Sequence, residues 1–504
     1  MPLYRFHGGL PLPGMKGELP QRPIRQAELP ELLTLPLRMH ARGTLEPCVV
    51  PGQRVRRFEV LARPQSSGEG ACLNAPAAGI IEAIEPRGLP HAPGESGPAI
   101  VLRVDAANPS EASRFASMSD WSARKPPELR QRLIEAGVAG LGGGAFPSAD
   151  KLAFEVELLV LNGAECEPWI ACDARLLVEQ AAEVLQGGRL LRHMLGAKRV
   201  QLAVEDSMQP ALAALRAALA EHAIEDIEQV EVPTLYPQGG ERQLIQTLTG
   251  REVPLGGLPQ HIGIVVHNVG TALAAWRAVV HGEALVERVL SVTGPGVVQP
   301  DNWRVALGTP IAALIAASGG YTDQARRLLM GGAMMGVSLP DDGFPIVKAS
   351  TCVLVLDTPE ARHGQPALPC IRCGDCADVC PPRLMPQLLH EALRAPEIDA
   401  AEALGLGACI ECGLCDVACP SHIPLAQGFR LGKARLRAER QRQQEASEAQ
   451  ARFEARARRL EHEREALVER RAQAGKEAAA KAALASALAK ARARSGAAAP
   501  DRSE

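Results

Sequence analysis

The sequence predicts a multidomain α/β protein, and three observations carry that prediction. At about 100–200 residues per domain, 504 residues are too many for one hydrophobic core. From Pro126 to Val279 helical and strand patterns alternate, as they do where helices cover a mostly parallel sheet. The composition then shifts twice, into a cysteine-dense segment and finally into a tail of Ala, Arg, Glu, Gln and Lys. A net charge of −3 and an aromatic content of 3% leave neither the basic field nor the stacking platforms of a nucleic-acid-binding protein.

Residues 1–115 are rich in Pro and Gly, with short β-branched runs. Val49–Ala62 and Leu73–Gly88 read as strand–turn–strand halves of a small barrel, and they resemble the barrel-sandwich hybrid of lipoyl and biotinyl domains. A carrier domain of that kind needs a lysine at its hairpin tip. None lies between Lys16 and Lys125, so the barrel is expected to dock and not to swing. Residues 116–279 form the α/β layer, with helices at Glu128–Ala136, Arg175–Leu195 and Pro210–Glu221 and buried strands at Glu157–Leu161, Val200–Val204 and Ile262–Val266. Residues 280–345 run strand, Gly-rich turn, strand and short helix, the outline of a compact ubiquitin-sized fold. Residues 360–430 hold the cysteine motifs, and 431–504 the tail. There Phe453, Leu460 and Leu467 fall seven apart, but Arg456 and Glu463 occupy the other seam position. A solvated single helix fraying into disorder is expected, not a coiled coil.

Eight of the 13 cysteines fall into two copies of one spacing. The first is Cys370-x2-Cys373-x2-Cys376-x3-Cys380-Pro, the second Cys409-x2-Cys412-x2-Cys415-x3-Cys419-Pro. Three thiolates spaced by three let one loop wrap three irons of a cubane, while the fourth, followed by proline, turns away to the neighbouring cluster. One [4Fe–4S] cluster is therefore assigned to Cys370, Cys373, Cys376 and Cys419, and a second to Cys409, Cys412, Cys415 and Cys380. Zinc sites built from C-x-x-C units need neither the third cysteine nor the repeated Cys-Pro. The 28 residues between the motifs read as one or two short helices, so a helical dual-cluster ferredoxin domain is expected. The remaining Cys48, Cys72, Cys166, Cys172 and Cys352 share no spacing and read as buried structural residues.

Upstream lies a glycine loop, Gly137-Val-Ala-Gly140-Leu-Gly142-Gly143-Gly144-Ala-Phe146-Pro-Ser-x-x-Lys151. Such a loop brings backbone N–H groups close to a phosphate, with Lys151 as a point charge and Phe146 as a face for a planar ring. It fits neither the P-loop pattern nor a Rossmann fingerprint. Directly after the Glu157–Leu161 strand comes Asn162-Gly-Ala-Glu165-Cys-Glu167-Pro, at the carboxyl end where open α/β sheets bind ligands. Asn162 suits a ring or ribityl group, and Glu165 and Glu167 suit ribose hydroxyls.

These segments resemble the NADH-binding flavoprotein subunit of respiratory complex I. The glycine loop is similar to its G-x-G-G-x-G-F-P-T-G-x-K, NGAECEP to its N-A-D-E-x-E-P, Tyr236–Glu241 to its Y-x-x-G-E-E, and His267–Thr271 to its N-N-V-E-T. Val289–Gly320 resembles the SLBB (soluble-ligand-binding β-grasp) pattern. The whole order, with a barrel in front and two ferredoxin motifs behind, resembles the C component of the Rnf/Rsx ion-translocating electron-transport complex over residues 1–430. The resemblance implies a Rossmann-like domain in which Gly140, Gly142, Gly143, Phe146 and Lys151 line FMN phosphate and ring. Asn162, Glu165, Asn268 and Thr271 would complete the FMN site, and Glu167 and Glu241 would face NADH. The family's acidic residues are replaced at Ala164, Gly240 and Gly270, and Ala145 stands where it has glycine.

The resemblance further implies a translocase subunit that moves electrons between NADH, through FMN, and two [4Fe–4S] clusters. Its partners would be the other subunits of the membrane complex and ferredoxin or a ferredoxin-like subunit. Two alternatives stand beside it: a flavin/Fe–S cobalamin reductase, and an electron-relay and docking module with no working flavin site. Residues 1–30 hold no signal-like apolar core, and Ala306–Thr322 reads as a short buried helix, not a membrane span. A peripheral place on the cytoplasmic face of the bacterial inner membrane is expected, without a transmembrane segment.

Overall fold

The computed structural model describes residues 3–38, 43–65, 69–92, 94–358, 366–394 and 398–495. After a two-residue strand, β1 (Arg25–Gln26), come β2 (Leu32–Pro36), β3 (Glu46–Pro47), β4 (Arg54–Val55), β5 (Val60–Arg63), β6 (Leu73–Asn74), β7 (Gly79–Gly88) and β8 (Ser96–Val104). They make two antiparallel sheets, β2-β8-β7-β4 and β3-β5-β6. Leu33, Leu35, Ile81 and Leu102 of the first pack with Leu61 and Leu73 of the second in one core, a small sandwich in which alternate residues point inward.

The α/β layer follows: α1 (Pro126–Glu135), α2 (Ser148–Lys151), β9 (Leu158–Gly163), α3 (Cys172–Leu195), β10 (Arg199–Glu205), α4 (Gln209–Glu221), β11 (Glu228–Val232), α5 (Glu241–Thr249), β12 (Ile264–Asn268) and α6 (Val269–Trp276). The sheet order is β11-β10-β9-β12, parallel throughout. The apolar run in β9 is continuous because both faces are covered. Leu159 and Leu161 join one core with α3 and α6, while Leu158 and Val160 join another with Leu244 and Ile245 of α5. Each such side chain contributes roughly 1.5–3 kcal/mol on burial. Helices α3 and α6 touch backbone to backbone at Gly187, where a Cβ would collide with the carbonyl of Ala272. That contact fixes the start of α6 beside β9.

A third body contains β13 (Glu287–Thr293), β14 (Asp301–Ala306), α7 (Ile311–Ala317), β15 (Arg327–Met330), β16 (Val337–Leu339) and β17 (Cys352–Leu356). Its sheet, β1-β14-β13-β17-β15-β16, draws β1 from the N-terminal region and β17 from beyond residue 345. Hydrogen bonding and not chain position sets these limits, since β1 pairs in parallel with β14 and β17 with β13. Ile311, Leu314 and Ile315 of α7 pack under Leu290, Trp303 and Val353.

The cysteine segment carries α8 (Asp375–Asp378), α9 (Pro386–Ala392), α10 (Asp399–Ala403) and α11 (Leu414–Ala418), before α12 (Leu425–Ser495). Residues to Arg430 form one compact unit, and those from Leu431 a second. In the second, every residue from Gln441 to Arg494 is exposed, Phe453, Leu460 and Leu467 included, so the helix there has a solvated surface all round. Cys72, Cys172 and Cys352 are buried, but Cys48 is exposed and Cys166 half-buried, which corrects the expectation of five buried residues. Cys48 follows the edge strand β3.

Candidate functional site

From β9 the chain winds through α3 and α4 to β10 and β11 on one side, whereas β12 lies on the other side of β9. The winding therefore reverses between β9 and β12, and in open α/β sheets a ligand crevice forms beyond the strand ends at that point. Asn162 near the end of β9 and Asn268 at the end of β12 are register partners there. The glycine loop covers the same edge. Leu141 N donates to Thr271 Oγ1 at 2.9 Å, Leu141 O accepts from Arg288 Nη2 at 3.2 Å, and Gly140 N donates to Phe146 O at 2.8 Å. Gly143 has φ +95°, open only to glycine, and Ala145 takes φ +44°. Gly142, Gly143 and Gly144 are exposed, Phe146 is half-buried, and a Cβ at Gly144 would meet nothing within 4 Å. This bare, turned backbone suits a phosphate.

Lys151, at the end of α2, reaches this edge. Its Nζ donates to Glu241 Oε1 at 2.5 Å and to Val266 O at 3.3 Å. Asn162 Nδ2 donates to Gly239 O at 2.9 Å while its Oδ1 accepts from Ala164 N. Asn268 caps α6 by accepting from Gly270 N at 2.8 Å, and its Nδ2 donates to Asp173 Oδ2 at 2.5 Å. Gly140, Gly142, Gly143, Phe146, Lys151, Asn162, Glu241, Asn268 and Thr271 thus gather around one strand edge. Glu165 and Glu167 are committed elsewhere. Glu165 is buried and accepts from Asp173 N at 2.9 Å and Ala174 N at 3.2 Å, supplying partners to the free amides that open α3. Glu167 Oε1 accepts from Met334 N at 2.6 Å and Met335 N at 3.0 Å in the loop after β15.

Several residues at this edge left no mark in the sequence pattern. Lys16 donates to Glu165 O at 2.5 Å from a segment 149 residues away. Burial and the Glu165 charge push Asp173 up to about 7, against the pull of its Asn268 hydrogen bond. Burial likewise pushes Glu205, at the end of β10, up to about 7. Burial, helped by the Lys151 charge, drives His267 down to about 3. Glu165, Cys172 and Asp173 place one ligand-type atom each within 4.8 Å of one another. The carboxylate of Glu165 already serves the α3 amides, and burial holds the Cys172 thiol well above its ordinary range, so the trio reads as a helix cap.

The eight motif cysteines line two separate cavities. One is bordered by Cys370, Cys373, Cys376 and Cys419. The other is bordered by Cys380, Cys409, Cys412 and Cys415. Each cavity thus takes three cysteines from one motif and the last from the other. Cys370 and Cys373 are exposed, whereas Cys380, Cys412 and Cys415 are buried. Cys412 packs with Tyr236 and half-buried Cys166 against the α/β layer, and Tyr236 Oη donates to Cys412 O at 2.8 Å.

A parallel layer with a phosphate-type loop at its switch point, flanked by a barrel sandwich and a β-grasp body, defines a modular α/β protein with a candidate ligand crevice beyond its strand ends. Residues 133–277 match the family model of the Nuo51 FMN-binding domain, 4–107 the RnfC barrel sandwich hybrid domain, and 289–338 the SLBB domain. The chain is 43% identical over 467 residues to the C component of the ion-translocating oxidoreductase complex of Pseudomonas aeruginosa, covering 92% of this chain and 60% of that one. It is 37% identical to the corresponding component from Haemophilus influenzae, covering 92% and 69%. The chain belongs to this family, the C components of ion-translocating oxidoreductase complexes. It spans about 60% of the length of the Pseudomonas relative. Among solved structures it is similar to an NAD+-reducing [NiFe]-hydrogenase in the H2-reduced state, at 19% identity and a TM-score of 0.44, over 66% of this chain and 67% of that one. Among the described residues no helix is long and apolar enough to cross a membrane.

Proposed function

We propose that this chain is the electron-transfer subunit of a membrane ion-translocating complex, carrying electrons between NADH, through FMN, and two [4Fe–4S] clusters toward ferredoxin or partner subunits. The observation that carries the reading is the convergence of the glycine loop, Lys151, Asn162 and Asn268 on one strand edge, with a cysteine quartet packed against the same layer. FMN, when bound, supplies the exchange between a two-electron hydride carrier and one-electron centres.

The chain's own residues have separable tasks in this reading. The exposed backbone of Gly142–Gly144 and the Lys151 ammonium would hold the phosphate and Phe146 would flank the ring, while Thr271 keeps the loop on α6. Glu241, which pairs with Lys151 at the same edge, would face the nicotinamide ligand. Glu165 supports the site from behind through α3, and Glu167 ties it to the β-grasp body. Four thiols around each cavity are the donor set of a cubane cluster, with crossed fourth ligands. Burial raises the Cys380 thiol to about 11, so cluster assembly displaces a proton there. The buried quartet lies beside the flavin-type layer, and the quartet with exposed Cys370 and Cys373 is the side on which a further one-electron carrier docks.

A relay without a working flavin site is the second reading. It is favoured by the Lys151–Glu241 pair and by the loss of acidic side chains at Ala164, Gly240 and Gly270. The cobalamin-reductase alternative loses ground to the family membership. Anaerobic purification of the full chain decides, with iron, sulfide and flavin quantified and the spectrum followed on adding NADH. About eight irons, bound flavin and bleaching by NADH are expected. The same iron with no flavin and no bleaching after FMN is supplied would leave only the relay.

A further inference from the structure

Residues 4–19 hold no helix and only an isolated bridge, yet they touch three bodies of the fold. Tyr4 N donates to Thr247 O of α5, and Gly9 N donates to Val379 O at 3.1 Å. His7 Nδ1 lies 3.0 Å from Cys380 O, where it donates. Leu10 exchanges two backbone hydrogen bonds with Tyr236, at 2.9 and 3.0 Å. Further on, Gly14 O accepts from Trp169 N and Leu19 O accepts from Asn302 Nδ2. Leu10 and Leu12 pack in one apolar cluster with Tyr236, Met334, Val379 and Leu414.

Two of these contacts converge on one cysteine quartet. His7 holds the carbonyl of Cys380, from the first motif, and Tyr236 holds the carbonyl of Cys412, from the second. Both cysteines border the same cavity. Tyr236 is itself held by Leu10 on its other side. The approach is tight: a Cβ at Gly8, where φ is +69°, would stand 2.5 Å from Val379 O.

We propose that the N-terminal strap His7–Leu12, acting through Tyr236, is a positioning element that fixes the Cys380/Cys409/Cys412/Cys415 quartet against the flavin-binding layer and so sets the electron-transfer distance between them. This rests on the electron-transfer reading above. Electron-transfer rate falls exponentially with the separation of the centres, so a quartet that drifts from the layer is read as slower cluster reduction.

Gly8→Val, His7→Ala and Tyr236→Phe in the full chain test it, with amide exchange around residues 379–380 and 411–413 as a readout independent of turnover. Iron content, flavin content and the rate of flavin bleaching by NADH should stay at the parent values. The rate of cluster reduction should fall, and exchange at both carbonyl-bearing turns should rise. Unchanged cluster reduction alongside raised exchange overturns the positioning role, and so does unchanged exchange in all three variants. If Gly8→Val fails to fold, His7→Ala and Tyr236→Phe decide, since each removes one hydrogen bond without adding bulk. Failure of the underlying reading looks different: the unaltered chain itself would show no bleaching by NADH. In that case cluster reduction by a chemical reductant and the exchange data still decide whether the strap holds the quartet.

Discussion

Glu205 ends β10 with 1% of its surface exposed and its Oε1 without a hydrogen-bond partner. Burial raises its pKa to about 7, with the nearby Lys16 charge pulling the other way. The folded chain therefore binds that proton more tightly than the unfolded chain. Its contribution is intact below the unfolded value of about 4.3 and is lost as the pH rises to about 7. Glu205→Gln is expected to stabilise the chain at pH 8 by up to about 3 kcal/mol, and by almost nothing near pH 4. Thermal unfolding at the two pH values measures this. His267 works in the opposite sense. Its folded pKa is depressed to about 3, so its stabilisation is lost as the pH falls below about 6.5. Between about pH 4.3 and 6.5 the two slopes oppose each other, and the two groups together leave stability nearly level there.

At the scale of elements, the glycine loop owes its place to α6. The Leu141 N–Thr271 Oγ1 hydrogen bond is buried, so Thr271→Val leaves an amide without a partner. That substitution should cost about 1–3 kcal/mol and weaken FMN retention, both measurable by thermal unfolding and by titration with free FMN. The cysteine motifs make a sharper prediction because their fourth ligands cross. Cys419→Ala should lose the same roughly four irons as Cys370→Ala, leaving the other cluster's spectrum in place. Cys380→Ala should instead match Cys409→Ala. Pairing by motif, with Cys419 grouped with Cys409, would be the outcome that rejects the crossed assignment.

Across the whole molecule, Lys348 is the joint. It is fully buried, its Nζ donates to Cys72 O at 2.9 Å and Gly137 O at 2.7 Å, and its own carbonyl accepts from Arg288. Barrel, glycine loop and β-grasp body meet at that one side chain. Burial lowers its pKa to about 8, so its ammonium is held there at a desolvation cost. Lys348→Met fills similar space but strands both carbonyls. It is expected to lower stability by about 2–5 kcal/mol and to loosen flavin retention although Lys348 touches no ligand-facing residue of the crevice. Calorimetry with and without FMN checks both parts.

Much of this site was legible in one dimension because its chemistry is local. The C-x2-C-x2-C-x3-C-P spacing, the glycine loop and the short segments after β9 and β12 each need particular residue types at adjacent positions, and adjacency is what a sequence displays. The alternation of helix and strand patterns gave the α/β layer for the same reason: the period of burial is a property of a few neighbouring residues. The tertiary structure alone decided which glutamates face the crevice, turning Glu165 to α3 and Glu167 to Met334. It also brought Lys16, Glu205 and Arg288 to the site and threaded the N-terminal strap between the quartet and the layer. Those contacts join residues far apart in the chain, such as Lys16 and Glu165 or His7 and Cys380, and no local pattern encodes them. They form because folding leaves each buried polar group to find a partner wherever the packed bodies place one.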